Sequence, residues 1–200
     1  MAARVLLRLA LLLAALLTVP PAWADDERYH GRVVDVDAKQ PLEGAAVTVM
    51  WMKYPVIILD GVSDFHGARE ALTDAEGRFS IDATPPFKWN PFRSLTKRPE
   101  IIVYKPGYAP YPGMYTLDRP DLPPIQSIAE PLYARRPVTI GLPKLATERE
   151  LRLFTSPSLH PRVPYERVPI YMRLIDEQRI RLNLEPLVTP DVRSHKREGK

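Results

Sequence analysis

Thirteen of the chain's 23 prolines fall between Pro85 and Pro143, and this spacing limits the fold more than any other feature. Proline has no backbone N–H to give to a helix, and its ring collides with the preceding turn. Regular helix is therefore not expected in that stretch, and short extended runs separated by turns are what remains.

The runs are legible. From Tyr29 to Asp37, Tyr29, Gly31, Val33 and Asp35 alternate with His30, Arg32, Val34 and Val36, the pattern of a strand near a sheet edge. The bend Asp37-Ala-Lys-Gln-Pro-Leu-Glu-Gly44 follows, and Ala45, Val47, Val49 and Trp51 then alternate with Ala46, Thr48, Met50 and Met52. Ala71-Leu-Thr73, the turn Asp74-Ala-Glu-Gly77 and Arg78-Phe-Ser-Ile-Asp82 read as a hairpin, with Gly77 supplying a positive φ. Further strands are expected at Glu100 to Lys105, stopped by Pro106-Gly107, and at Val138 to Leu142, ended by Pro143. Lys53 to Arg69 and Thr84 to Pro99 read as long connections. The expectation is a mainly β fold, an antiparallel β-sandwich.

After Pro143 the pattern changes. Thr147-Glu-Arg-Glu150 has the form of a capping box ahead of Leu151, Leu153 and Phe154. A longer helix is expected over about Tyr165 to Asn183, with Val168, Tyr171, Met172, Leu174, Ile175 and Leu182 on one arc and Arg173, Glu177 and Arg181 opposite. That stripe is expected to pack on the sandwich; docking on a partner or a membrane surface is the alternative. The domain plan is a leader over 1–24, a β-sandwich over 25–143, a short α-helical appendage over 144–190 and a frayed tail over 191–200.

The leader reading rests on Arg4 and Arg8, an Ala/Leu-rich run from Leu9 to Val19 too short to span a bilayer, and the exit Ala22-Trp-Ala24. These are the parts of a secretory signal peptide, with cleavage expected after Ala24. A retained anchor helix is the alternative, against which Pro20-Pro21 stand as helix breakers. Cleavage removes two of the 28 Lys and Arg, leaving 26 against 24 Asp and Glu. So small an excess, +2, does not suit a dedicated nucleic-acid binder. The sequence has no cysteine, which excludes a disulfide framework, a thiol nucleophile, a thiolate metal site and a lipidated cysteine.

Four motifs occur in order: Gly31-Arg-Val-Val-Asp35, Gln40-Pro-Leu-Glu-Gly-Ala-Ala-Val47, Thr73-Asp-Ala-Glu-Gly-Arg-Phe79 and Tyr104-Lys-Pro-Gly-Tyr108. Together they resemble the carboxypeptidase regulatory-like domain, a prealbumin-like (transthyretin-like, Ig-like) β-sandwich related to the starch-binding-like folds, over about Tyr29 to Leu142. The resemblance implies a non-catalytic module, of the kind found beside peptidase domains and at the front of outer-membrane receptors. The chain departs from the pattern between Lys53 and Glu70, where the family link is short and this one carries Tyr54, Ile57, Ile58, Phe65 and His66.

Chemistry-bearing residues are scattered. His30, His66, His160 and His195 show no metal-ligand spacing and are expected at the surface. Ser63-Asp-Phe-His66 holds the residue types of a triad, but a triad is assembled by fold geometry rather than adjacency, so it is expected to be a polar loop tip. Related intradiol dioxygenases hold iron with Tyr and His pairs that have no counterpart here, and transthyretin-like hydrolases need a terminal motif that Ser194 to Lys200 does not reproduce. Asp74, Glu76, Asp35 and Asp37 are too few convergent oxygens for calcium. No catalytic residue, metal site or cofactor is expected. The one candidate site is the loop Pro85-Pro-Phe-Lys-Trp-Asn-Pro-Phe-Arg93, where Phe87, Trp89 and Phe92 either form a rigid apolar binding surface or plug one end of the core. Tyr104 to Tyr115 is a second aromatic tract with the same two readings. The sequence is thus read as an exported, non-enzymatic binding or assembly protein of the periplasm or exterior. Its partner is expected to be another envelope protein, a peptide or a glycan, not nucleic acid, and no transmembrane segment is expected after cleavage. A carbohydrate-binding module and, further off, a small hydrolase are the alternatives.

Overall fold

A computed structural model describes residues 27–55, 63–86, 93–95 and 98–188. Within them the chain is mainly β: β1 (Arg28–Asp35), β2 (Ala46–Pro55), β3 (Asp64–Leu72), β4 (Arg78–Asp82), β5 (Arg93–Leu95), β6 (Glu100–Tyr104) and β7 (Val138–Leu142). Among the described residues there are three α-helices: α1 (Ile125–Tyr133) between β6 and β7, and α2 (Glu148–Leu153) and α3 (Pro169–Arg181) after β7. Among the described residues no helix is long and apolar enough to cross a membrane. The expected leader and the tail from Asp191 lie outside the described residues.

The strands form two small sheets. In the first, of order β4-β1-β7, β1 runs antiparallel to β4 and parallel to β7. In the second, β2 carries β3 on one side and, on the other, β6 along Ala46–Met50 and β5 along Lys53–Pro55, all antiparallel. Several expectations need correction, among them the long connections Lys53 to Arg69 and Thr84 to Pro99, which hold the end of β2, most of β3 and all of β5. β1 is a central strand rather than an edge, since it pairs with β4 on one side and β7 on the other; its exposed Arg28 and Arg32 mark a solvent-facing side of the sheet, and period-2 alternation reports faces, not edges. Gly31 makes the central position possible: a Cβ there would lie 2.3 Å from the Val138 carbonyl oxygen of β7. The β1–β7 pair is parallel, so the sheets are not purely antiparallel.

The turn at Asp74–Gly77 exists, but it is no hairpin, since β3 and β4 belong to different sheets. Asp74 shapes it, accepting from the Arg78 and Glu76 amides at 2.7 and 3.1 Å. Gly77 then donates to the Asp74 carbonyl and accepts from the Val33 amide of β1. At φ +74° and with a Cβ position 2.4 Å from the Val33 oxygen, only glycine fits. The turn is thereby pinned to β1 and carries the chain across from one sheet to the other.

The proline-dense region does contain a helix, which corrects the expectation of none. Pro123 and Pro124 stand just before α1, where a missing N–H costs nothing, and Pro131 falls near its end and removes one helical bond. Ile128 and Leu132, at i and i+4, are buried in the core and offset that loss.

β2 separates two apolar clusters. Val47, Val49 and Trp51 face a cluster drawn from both sheets, with Val33, Phe79, Ile81, Ile101, Val103, Ile140 and Leu142, closed by α1 through Ile128 and Leu132. Ala46, Met50 and Met52 face the other side, where Ile102 and Tyr104 meet Val168, Tyr171, Met172, Leu174 and Ile175 of the α3 segment. The apolar stripe of the C-terminal helix thus packs on the second sheet, as expected, with Leu182 half-buried. Each such side chain contributes about 1.5–3 kcal/mol when fully buried. The capping box before α2 is complete: the Glu150 amide donates to Thr147 Oγ1 at 3.2 Å and the Thr147 amide to Glu150 Oε2 at 3.0 Å.

Candidate functional site

The aromatic residues singled out in the sequence, Phe87, Trp89 and Phe92, lie outside the described residues. Pro86, just before them, accepts a hydrogen bond on its carbonyl from His66 Nε2 at 2.5 Å. His66 is 2% exposed, which corrects its expected surface position. The cause is a register shift: Trp51 pairs with Gly67 and Met52 with Phe65, so His66 is the extra residue of a bulge in β3. Ser63 to His66 is accordingly not a loop tip, because Asp64 to His66 open a strand and Ser63 and His66 are buried. His30 and His160 are half-buried, and His195 is outside the described residues.

Ser63, Asp64 and His66 do not assemble. Ser63 Oγ sits 3.0 Å from Nε2 of His160, 97 residues away, whereas Asp64 faces Arg162 at 3.9 Å. The Ser63–His160 contact has the spacing of a nucleophile and base but not the proton. The Arg162 amide, which can only donate, reaches His160 Nδ1 at 3.2 Å. Nδ1 is therefore the acceptor, Nε2 carries the hydrogen, and the imidazole donates to Ser63 instead of taking its proton.

Of the carboxylates singled out in the turns, Asp35 and Asp74 bind backbone amides, while Asp37 pairs with Arg119 and Glu76 with Arg78. Asp35 accepts from the Asp37 and Ala38 amides on Oδ1, at 2.8 Å each, and from the Tyr108 hydroxyl on Oδ2 at 3.1 Å. Burial pushes its pKa up, but the amides and the hydroxyl outweigh that and hold it below the ordinary aspartate value. Tyr108 is shifted upward, first by burial and then by this bond. Asp74 is likewise lowered, chiefly by the Arg78 amide. Among the described residues no three His, Asp or Glu side chains are grouped so as to hold a metal ion.

Ligand-sized space exists elsewhere. Between the edge of β6 and one face of α1 runs a groove of about 380 Å³, lined by Ile101, Tyr111, Pro112, Ile125, Ala129 and Tyr133 with Glu100 at its rim. Ile125, Ala129 and Tyr133 recur every four residues and form one helix face, while Ile128 and Leu132 turn to the core. Tyr133 also borders a recess of about 410 Å³ with Arg98, Glu130, Ala134 and Arg136, and so lines both spaces. The Arg98 guanidinium lies over that ring, 5.6 Å from its centre. Burial raises the Tyr133 hydroxyl pKa, with Arg98 opposing and Glu100 adding to the shift. Burial likewise raises that of Tyr111, whose ring meets Tyr115 edge-on at 6.3 Å. Tyr111 belongs to the second aromatic tract of the sequence. Tyr133 was hidden by the proline count, although Ile125, Ala129 and Tyr133 at helical spacing were there to be read.

Two other surfaces are more open. One crosses the first sheet beside His30, Arg32, Arg78 and Thr139, about 660 Å³, and one lies along α3 beside Tyr165, Met172, Ile180 and Val188, about 390 Å³. No family model matches the chain, no curated protein matches its sequence, and no solved structure matches its fold.

Proposed function

We propose that the protein is an exported, non-catalytic binding module of the cell envelope that takes peptide or protein segments, built as a prealbumin-like β-sandwich with a helical appendage. The observation that carries this reading is the β6–α1 groove. Its walls are apolar and aromatic, it has a charged rim, and it lies along a sheet edge, the composition of a recognition surface. The motif resemblance supports the fold part: Gly31 and Gly77 occupy positions where backbone approaches backbone, and Thr73 binds the bend at Leu42 to Ala45. Its hydroxyl donates to the Leu42 carbonyl at 2.5 Å and accepts from the Ala45 amide at 2.8 Å.

The test is binding of the purified protein to a soluble heptapeptide library in which apolar residues alternate with Ser and Thr, read by fluorescence polarisation. Saturable binding that Tyr133→Ala reduces at least tenfold is expected. Turnover of an ester, amide or ureide substrate that is lost on mutating Ser63 or His66 would overturn the non-catalytic part. Export is checked separately, since the N-terminal residue of protein recovered from the envelope fraction is expected to be Asp25.

A further inference from the structure

The edge of β6 is half-used. Val103 exchanges two backbone hydrogen bonds with Tyr111 on the outer side of the strand, at 3.0 and 2.9 Å. In an antiparallel ladder, hydrogen-bonding direction alternates along the strand. Thr48–Ile102 and Met50–Glu100 are therefore the pairs bonded to β2, and Ile101, like Val103, turns its N–H and C=O outward. Among the described residues those two groups have no partner. The segment that would pair with them departs, because after Tyr111 comes Pro112, which has no N–H, and Gly113 opens a 3-10 turn. The vacant position opens into the groove under Tyr111, Ile125 and Tyr133.

Beyond the Glu100 end of that edge lie Arg98 and Arg136, both exposed and neither in an ion pair among the described residues, with two carboxylates nearby, Glu130 in the recess and Glu100 at the adjoining groove. A guest strand continuing the ladder begun by Tyr111 runs antiparallel to β6, so its C-terminal end arrives at this basic recess. Resting on the peptide-binding reading above, we propose that the groove takes the extended C-terminal segment of a partner protein, added as a strand at Ile101 with its terminal carboxylate held by Arg98 and Arg136. Backbone bonds at Ile101 set the register, the aromatic walls receive one apolar side chain, and the two guanidiniums require a chain end.

The test takes the tightest heptapeptide from the library and compares three forms of it. Replacing the free carboxylate by an amide is expected to weaken binding at least tenfold. Moving single N-methyl groups along the peptide is expected to show one position, within the last few residues, where affinity falls about fivefold or more. Arg98→Gln is expected to reduce the advantage of the free acid over the amide, and Arg98→Gln combined with Arg136→Gln to remove it. If the amide binds as tightly as the acid, the chain-end clamp is wrong, and if the N-methyl scan is flat while Tyr133→Ala still weakens binding, strand addition is wrong; either result overturns this proposal and leaves peptide recognition by the groove. If no peptide of the library binds, both readings fall.

Discussion

The two sides of β2 are equally buried but differently closed. On the side shared by both sheets, Val47 and Val49 are fully buried among residues of β1, β4, β6 and β7, and the cluster is sealed by turns that bond to neighbouring strands. On the other side, Met50 and Met52 are just as buried, yet the cover is α3, more than a hundred residues along the chain. That cover is fastened by polar side chains. Glu70 of β3 accepts the Ile170 and Tyr171 amides at the start of α3, both at 2.9 Å. Asp176 accepts the Leu187 and Val188 amides, and Gln178 accepts the Gly107 amide. A carboxylate at a helix start satisfies orphan N–H groups and is attracted by the positive end of the helix dipole, so Glu70 serves as a cap supplied from another element. One core is continuous with the sheets, and the other is a docked lid.

The largest effect should come from the shared core. Ile140→Ala is expected to lower global stability by about 2–5 kcal/mol in denaturant melts, with both sheets lost together. Met172→Ala leaves a cavity of similar kind under α3, but here the lid is expected to give first. Hydrogen exchange should quicken in 169–181 while the amides of β1 and β7 remain protected; equal loss throughout would merge the two cores into one unit.

Glu70→Ala, which strands two helix-start amides, is expected to cost about 1–3 kcal/mol, again read as faster exchange in α3. Asp35 gives the smallest and most condition-dependent effect. Its folded pKa lies below its unfolded value of about 3.9, so its stabilising contribution is present above the unfolded value and is lost as pH falls through the folded one. Asp35→Asn is expected to flatten the acid limb of the melting temperature below about pH 4 and to leave exchange in α3 unchanged.

How much was legible follows the range of each interaction. The strands expected over Tyr29 to Asp37, Glu100 to Lys105 and Val138 to Leu142, the cap at Thr147 and the helix expected over Tyr165 to Asn183 depend on neighbours within a few residues; the structure has them as Arg28–Asp35, Glu100–Tyr104, Val138–Leu142, the same cap and Pro169–Arg181. The Asp74 turn was legible as a turn but not as a crossing, because whether flanking strands pair depends on β1 and β2 competing for them. The helix at Ile125 was hidden because prolines count against helix locally, while Ile128 and Leu132 gain their burial from β-strands elsewhere. The candidate groove was missed for the same reason, since one of its walls is that helix.

By itself the sequence determined a mainly β chain without cysteine, the turns ending at Gly44, Gly77 and Gly107, and the buried faces of β4 and β7, since φ preferences, missing N–H groups and period-2 alternation act over a handful of residues. Tertiary structure alone decided which strands pair, that Glu70 caps a helix a hundred residues away, that His160 meets Ser63 as a donor, and that β6 leaves Ile101 open beside Tyr133. Those outcomes depend on competition among distant segments for the same hydrogen bonds and buried area, and local pattern does not encode that competition.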